Sequence, residues 1–249
     1  MSLLRSTSHR CIALCALTLS ALVALAGCSR VRGAASEPEI VRPEALVDYP
    51  TLYKDNCAAC HGATGAHGAS VPLANPIFLS IIGHDTLRDT IAKGVPNALM
   101  PAFGKAYGGT LTDQQVDILA QGMIHQWSGA DQPAGNDLPP YKAVLAGDAT
   151  RGQQAYASAC SRCHGPRGEG DAKNKTGSIT DPTYLALVSD QYLRNLILGG
   201  RPDENMPDYR SDLSQPLTDQ QITDIVTWLG SKRIANPGQP YHRNDSKYK

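Results

Sequence analysis

The sequence predicts an all-α protein made of two similar domains in tandem. The segment LTDQQ occurs at residues 111–115 and again, unchanged, at 217–221. Shifting the chain against itself by 106 positions, or by 103 upstream of a Gly-rich loop, aligns many further residues. Apolar residues recur with helical spacing, and no convincing stretch alternates apolar and polar residues as a half-buried strand would. The repeat and the helical period together predict the fold class.

Length and composition agree with two domains of modest size. The chain has 249 residues, of which 41% are hydrophobic but only 6% aromatic, with two Phe. Aromatic side chains usually supply much of the buried area of a core, so we expect another apolar group to contribute to each interior. The formal net charge is zero and no polybasic run occurs, so the sequence gives no support for binding to nucleic acid.

The N-terminal segment predicts export. Arg5 and Arg10 precede an apolar run over residues 11–27, and the sequence LAGC follows at 25–28. The run is short for a membrane span but fits the apolar region of a secretory signal. It resembles a bacterial lipoprotein signal, which implies cleavage after residue 27 and a lipid on Cys28. An ordinary cleaved signal and an uncleaved anchor are the alternatives. We therefore expect the chain on the periplasmic side of a bacterial membrane, anchored by lipid.

The repeat also predicts the domain boundaries. The expected segments are a signal at 1–27, a tether at 28–47, domain 1 at 48–128, a linker at 129–146, domain 2 at 147–233 and a polar tail at 234–249. The linker is rich in Gly and Pro and has no helical period.

Helix signals place three kinds of helix in each repeat. The segments YPTLYKDN and DATRGQQAYASA predict helices that lead into a cysteine motif, with Asp148 as a cap for the second. TLRDTIAKG and YLRNLILGG predict shorter helices that end at glycine.

The two LTDQQ segments predict the start of the last helix of each repeat. Thr112 with Gln115, and Thr218 with Gln221, have the spacing of a capping box. We expect Trp127 and Trp228, near the ends of these helices, to pack against the helix that carries the cysteine motif.

Each repeat contains the motif C-x-x-C-H, which is typical of a c-type haem attachment site. Two thiols one helical turn apart can add to the two vinyl groups on one porphyrin edge, and the adjacent histidine can then ligate the iron. A thioredoxin-like redox pair and one shared zinc site are the alternatives. The predicted attachment residues are Cys57 and Cys60 with His61, and Cys160 and Cys163 with His164.

Two methionines are candidates for the second axial position on the iron. Met100 in LMPAFG and Met206 in NMPDYR are equivalent under the repeat, and the following proline keeps each in extended backbone. Met123 has no counterpart and is expected in the core. His67, His84 and His125 also lack counterparts and are not expected to bind iron.

With these motifs in place, residues 48–128 and 147–233 each resemble a class I c-type cytochrome domain. The resemblance implies a small helical fold around a covalently attached haem c, His and Met axial ligands, and one-electron transfer. Two haems per chain are therefore expected.

The predicted function is electron transfer between periplasmic or membrane-bound redox partners such as a cytochrome, an oxidase or a dehydrogenase. The chain would act as a carrier or as a subunit of a respiratory oxidoreductase. Methionine ligation raises a haem potential and leaves no open position on the iron. A dihaem enzyme, such as a peroxidase or a thiosulfate-oxidising enzyme, is the alternative.

Overall fold

The structure is a computed structural model that describes residues 41–96, 98–129, 138–211 and 214–234. The predicted signal and Cys28 lie outside the described residues, as do 130–137 of the linker and 235–249 of the tail. The chain divides into two units, residues 1–45 and 46–249. In the first unit, the described part contains a 3₁₀ turn at Pro43–Ala45. No helix in the described ranges is both long enough and apolar enough to cross a membrane.

The second unit is helical, which confirms the predicted all-α class. Within the described ranges, β-structure is limited to isolated bridges between single residue pairs. Two 3₁₀ turns, Lys105–Tyr107 and Pro202–Glu204, lie between α-helices. The α-helices of the described residues are α1 Tyr49–Asn56, α2 Ala58–His61, α3 Pro76–Lys93, α4 Asp113–Trp127, α5 Ala149–Ala159, α6 Ser161–His164, α7 Pro182–Leu187, α8 Asp190–Gly199 and α9 Asp219–Gly230.

The first repeat contains α1 to α4 and the second α5 to α9. The extra helix of the second repeat has a simple cause. Helix α3 is interrupted at Gly83, which has φ of 66° and ψ of 166°, a left-handed φ that favours glycine. The aligned residue is Ser189, which caps α8 by accepting a hydrogen bond from the Tyr192 N–H. Helix α3 therefore corresponds to α7 and α8 together.

The repeated LTDQQ segment begins the last helix of each repeat, as predicted. Thr112 Oγ1 accepts a hydrogen bond from the Gln115 N–H at 3.2 Å, and Gln115 Oε1 accepts one from the Thr112 N–H at 2.9 Å. Thr218 and Gln221 repeat both bonds at the same distances. These capping boxes satisfy N–H groups that have no partner inside the helix.

The first and last helices of each repeat cross closely, and each crossing pairs a glycine on one helix with a large residue on the other. The helix that carries the glycine differs between the two repeats. A Cβ on Gly122 of α4 would lie 2.1 Å from the Tyr49 ring on α1. In the second repeat, a Cβ on Gly152 of α5 would lie 2.0 Å from the Asp224 carbonyl oxygen and 2.9 Å from Trp228 Cβ. Tyr49 aligns with Gly152, and Gly122 aligns with Trp228. The exchange keeps both crossings filled.

Tryptophans pack on the helices that lead into the cysteine motifs, as expected from their positions. The Trp127 and Tyr53 rings meet edge to face with centroids 5.2 Å apart. The Trp228 and Tyr156 rings are 4.4 Å apart. Aromatic pairs at these distances contribute stabilisation beyond the area they bury. Met123 is buried in the core of the first repeat, also as expected.

The described end of the predicted linker is held by a buried arginine. The Arg194 side chain on α8 is 2% exposed. It donates hydrogen bonds to the carbonyl oxygens of Pro140 at 2.7 Å and Tyr141 at 3.1 Å, and it pairs with Asp219. The Tyr141 ring packs against Phe78 of the first repeat, with centroids 6.4 Å apart. This part of the linker therefore contacts both repeats.

Candidate functional site

Each cysteine motif begins at the junction of two helices. The Cys57 N–H donates to the Tyr53 carbonyl at the end of α1, and the Cys57 carbonyl accepts from the His61 N–H at 3.0 Å. This single helical turn places Cys57, Cys60 and His61 on one short segment. The second repeat has the same bonds, from Cys160 to Tyr156 and from His164 to Cys160. The local helical geometry alone accounts for this arrangement.

A glycine and a tyrosine fix the chain directly after each motif. Gly62 and Gly165 have φ of 82° and 78°, values that favour glycine. The Tyr53 hydroxyl donates to the Gly62 carbonyl at 2.7 Å, and the Tyr156 hydroxyl donates to the Gly165 carbonyl at 2.5 Å. Sequence reasoning aligned the two tyrosines but assigned them no role. Their equivalence under the 103-residue offset was the available signal.

His61 presents one nitrogen for ligation. The ring is buried, and Nδ1 lies 2.9 Å from the Val71 carbonyl oxygen. A carbonyl only accepts, so Nδ1 carries the proton and Nε2 keeps its lone pair. Burial lowers the pKa of His61, against the opposing effect of the Val71 hydrogen bond. The imidazole is therefore neutral at physiological pH, as a metal-binding imidazole must be.

His164 is half-buried and lacks the hydrogen bond that His61 makes. Burial lowers its pKa as well. Its Nδ1 is buried and has no hydrogen-bond partner among the described residues. The two motif histidines are thus alike in protonation and different in their second contact.

The four motif cysteines are free thiols. Burial, and then the neighbouring Cys60, raise the pKa of Cys57 to about 12, and burial and Cys163 raise that of Cys160 to about 11. Catalytic redox pairs of the C-x-x-C type depend on a lowered pKa that provides a reactive thiolate. The raised values argue against the thioredoxin-like alternative.

The shared zinc site is not supported either. In the described ranges, one group of three or more His, Cys, Asp or Glu side chains has its ligand atoms within 4.8 Å of one another, and it consists of His67, Asp203 and Glu204. It contains no cysteine. The two cysteine pairs are therefore not brought together as a four-thiolate zinc site requires.

Two equivalent glycines seat the Met-Pro segments against a helix end. Gly94 ends α3 with φ of 69°, and Gly200 follows α8 with φ of 70°. A Cβ on Gly94 would lie 2.8 Å from the Met100 carbonyl oxygen, and one on Gly200 would lie 2.5 Å from that of Met206. Both methionines are half-buried. The backbone close approach at each loop therefore requires glycine.

The methionine loops differ in their hydrogen bonds. Met100 packs against the first core, which includes Cys57, and its carbonyl accepts from the Val95 N–H at 3.0 Å. Met206 exchanges two backbone hydrogen bonds of 2.9 Å with Arg201. The Arg201 guanidinium in turn pairs with the Asp203 carboxylate at 2.8 Å.

The side chains of each repeat fit a covalently attached haem. Each repeat offers two free thiols one helical turn apart, a neutral imidazole that is half-buried or buried, and a half-buried thioether. Thiols, imidazole and thioether are the groups that attach and ligate haem c. The fit rests on the chemistry of these groups and on the equal local structure of the two motifs.

Comparisons with known proteins give a consistent family. The family model described as "Cytochrome C oxidase, cbb3-type, subunit III" matches residues 45–121 and 147–229. The FixP subunit of the cbb3-type cytochrome c oxidase of Bradyrhizobium diazoefficiens is 28% identical over 80% of this chain and 67% of its own length. The CcoP subunit of Rubrivivax gelatinosus is 31% identical over 69% of this chain and 51% of its own. The chain thus spans about half to two thirds of these curated relatives.

Among solved structures, one chain of the Kuenenia stuttgartiensis reducing HAO-like protein complex is similar to this protein. The identity is 20% and the TM-score 0.44, and the match covers 79% of this chain and 99% of that chain.

Proposed function

The chain belongs to the family of cytochrome c oxidase, cbb3-type, subunit III, and from this premise we propose that it carries single electrons as a dihaem subunit of a respiratory oxidase. It is a c-type cytochrome with two tandem domains, and it binds two haem c groups. Its relatives are named as the FixP and CcoP subunits of cbb3-type oxidases. The expected partners are the other subunits of such an oxidase and the protein that donates electrons to it.

The proposed haem residues are the ones expected from the motifs. Each bound haem c supplies a one-electron Fe(III)/Fe(II) couple. The residues that would hold the first haem are Cys57, Cys60, His61 and Met100, and those for the second are Cys160, Cys163, His164 and Met206.

In the first repeat, His61 is held ready for ligation. The Val71 carbonyl orients the ring through Nδ1–H, which directs the Nε2 lone pair away from that bond. Hydrogen bonds of this kind fix the tautomer of a metal-binding histidine and raise its basicity. The Tyr53 hydroxyl holds the Gly62 carbonyl directly after His61, which fixes the start of the loop that leads to Val71.

The methionine loops favour a carrier over an enzyme. As ligands of the two haems, the Met100 and Met206 thioethers would raise the haem potentials and leave no place for a substrate to bind. Both repeats keep a methionine at the same place beside an equivalent glycine. The observation that supports the proposal most strongly is this duplication of a full ligand set with the same local structure. A peroxidase or thiosulfate-oxidising enzyme would need one open or differently ligated iron.

Optical spectroscopy of the purified, haem-loaded protein tests this assignment. We expect two haems per chain, low-spin spectra in both oxidation states, and a near-infrared thioether-to-iron charge-transfer band of full strength for two sites. Loss of that band in Met100→Ala and in Met206→Ala, by half in each, would identify the ligands. A high-spin signal or a half-strength band in the unmodified protein would contradict the carrier and favour the enzyme.

Export and lipid attachment complete the proposal. The basic, apolar and LAGC segments at the N-terminus support a lipoprotein signal with Cys28 as the lipidated residue. We expect the mature chain on the periplasmic side of the membrane. Mass spectrometry of the mature N-terminus would detect the lipid on Cys28. A mature chain that still carries residues 1–27 would contradict this part.

A further inference from the structure

The two repeats meet at a small polar joint formed by His67 and Asn75 of the first and Gly199 and Asp203 of the second. Asn75 Nδ2 donates to the Gly199 carbonyl oxygen at 2.7 Å, and the His67 N–H donates to Asp203 Oδ2 at 2.9 Å. His67 and Asn75 lie on the loop that follows the first cysteine motif. Gly199 and Asp203 lie at the start of the segment that leads to Met206. The joint therefore connects the loop after the first cysteine motif to the segment before Met206.

Asn75 differs from its counterpart in the one property that the joint uses. Asn75 caps α3 by accepting from the Phe78 N–H at 3.1 Å, and Asp181, the aligned residue, caps α7 in the same way. Either side chain can accept, but only the amide can also donate. Asn75 is buried while Asp181 is exposed. The residue that lies at the joint is the one with the extra donor.

Gly199, like Asn75, differs from its aligned residue in a property that the contact between the repeats requires. Its φ is not in the left-handed range, so backbone conformation does not require glycine there. A Cβ would lie 2.9 Å from Asn75 Nδ2 and 3.2 Å from Phe78 Cβ. The aligned residue is Lys93, which is exposed and pairs with Asp89 at 2.7 Å. The absence of a side chain at 199 is thus explained by the close approach of the first repeat.

Apolar contacts and backbone conformation extend the joint. Ile77 and Ile81 of the first repeat pack against the core of the second, whereas Leu187, aligned with Ile81, is 65% exposed. His67 has φ of 59°, and the aligned residue is Gly170 with φ of 89°. A non-glycine residue in this region is uncommon, and here its N–H is bonded across the joint.

We propose that Asn75 is a positioning residue for electron transfer between the two haem pockets. By fixing the loop after the first cysteine motif to the end of α8, its amide sets the distance between the pockets. In this step, one electron would pass from the reduced haem in one pocket to the oxidised haem in the other, with no proton or atom transferred. The proposal rests on the proposed function, because it assumes a haem in each pocket.

The test compares Asn75→Asp with Asp181→Asn in the full-length, haem-loaded protein. Asn75→Asp keeps the helix cap but replaces the donor by a carboxylate that faces a carbonyl oxygen. Asp181→Asn makes the reverse change at the equivalent exposed cap. After partial photoreduction, we expect electron exchange between the pockets to slow severalfold in Asn75→Asp, because the rate of electron transfer falls steeply as the distance between donor and acceptor grows. Asp181→Asn should match the unmodified protein.

Three further measurements separate positioning from a general loss of structure. Gly199→Ala should slow the exchange as well, whereas Gly177→Ala, where a Cβ meets open space, should not. Asn75→Ser keeps a helix cap, but its side chain is too short to cross the joint. If Asn75→Asp folds poorly, Asn75→Ser replaces it in the test and should also slow the exchange. Small-angle X-ray scattering should show a larger radius of gyration for the slowed variants.

A pH series provides the rescue. When the introduced carboxyl of Asn75→Asp is protonated it can donate again, so the exchange rate of that variant should recover as the pH falls toward about 4. The rates of the unmodified protein and Asp181→Asn should stay level in this range, which lies above the range in which Asp203 of the same joint is protonated. Variants with full haem content and an intact thioether band but unchanged exchange rates would overturn the positioning role alone. Missing haem or a missing band in the unmodified protein would instead contradict the proposed function.

Discussion

The two repeats of this chain are alike where the proposed haem ligands lie and different where one repeat meets the other. The motif helices, the tyrosine bond to the following glycine, the capping boxes and the glycine beside each Met-Pro segment recur with nearly equal geometry. In contrast, Asn75 and Asp181, Lys93 and Gly199, and Ile81 and Leu187 differ in type or exposure. The local site is similar in both repeats, and these differences lie where the two repeats contact each other.

The histidines add a difference inside the site itself. His61 Nδ1 is bonded to Val71, and the Nδ1 of His164 has no partner among the described residues. A hydrogen bond to a carbonyl raises the basicity of a ligating imidazole. The two repeats are therefore not interchangeable even where their motifs agree.

The largest expected effect comes from removing one cysteine motif at a time, which tests whether the two repeats bind haem independently. We expect either double variant to reduce covalently bound haem from two per chain to one. The two variants are Cys57→Ala with Cys60→Ala, and Cys160→Ala with Cys163→Ala. The physical reason is that each repeat carries its own complete set of thiols. Haem stain on a denaturing gel and the haem-to-protein ratio measure this. If either pair abolished both haems, the independence of the two sites would be wrong.

The next largest effect is expected at the arginines that align with each other. Arg194 is 2% exposed and bonded to Asp219 and two linker carbonyls, whereas Arg88 is 33% exposed and 3.6 Å from Asp117. Arg194→Met should lower the free energy of unfolding by about 3 to 5 kcal/mol, because it leaves buried acceptors without partners.

Arg88→Met is the matched control for this prediction, with an expected cost of under about 1 kcal/mol. Denaturant unfolding monitored by circular dichroism gives both values, and limited proteolysis should cut the region 138–146 faster in Arg194→Met only. Equal costs for the two variants would contradict the role of Arg194 in holding the linker.

Substituting the glycines at the two helix crossings should lower the stability of the fold by an intermediate amount. Gly152→Ala should destabilise by about 1 to 3 kcal/mol, because its Cβ would meet the Asp224 backbone carbonyl, which cannot move freely. Gly122→Ala should cost less, because its Cβ meets the Tyr49 ring, and a side chain can shift more easily than backbone. Thermal unfolding compares the two. A larger cost at Gly122 would show that the ring is the more rigid neighbour.

An effect of similar size, confined to low pH, is expected at the joint between the repeats. Hydrogen bonds from Arg201, and then from the His67 N–H, lower the pKa of Asp203 from 3.8 to about 2, and its side chain is 3% exposed. A carboxyl whose pKa is lower in the folded state stabilises the fold at pH values above its pKa in the unfolded state. This stabilisation is lost as the pH falls through the pKa of the folded state. We therefore expect about 2 kcal/mol to be lost between pH 4 and pH 2.

Comparing Asp203→Asn with the unmodified protein isolates this contribution. The difference in unfolding free energy between the two should shrink as the pH falls through this range, in denaturant titrations at several pH values. Asp208→Asn, which changes a carboxylate paired with Arg210 in the same loop, provides the control. A constant difference across the range would show that the ionised form of Asp203 contributes nothing.

The sequence by itself determined the features that depend on neighbours along the chain. One helical turn places Cys57, Cys60 and His61 on one segment, and proline holds each methionine in extended backbone, so spacing alone predicts these elements. The same holds for the capping boxes, whose partners are three residues apart. The family and the all-α class followed from these local signals and were confirmed. The ligand assignments and the domain boundaries remain predictions.

Only the tertiary structure decided what joins distant parts of the chain. No local pattern shows that Asn75 reaches Gly199, that Val71 accepts a bond from His61, or that Tyr53 holds Gly62. The predicted linker gives the clearest case, because its composition indicated only an absence of helix. Its described end contacts the second repeat because a buried guanidinium at Arg194 requires acceptors, and the carbonyls of Pro140 and Tyr141 are the groups that the fold brings within reach. The same fold places the Tyr141 ring against Phe78 of the first repeat.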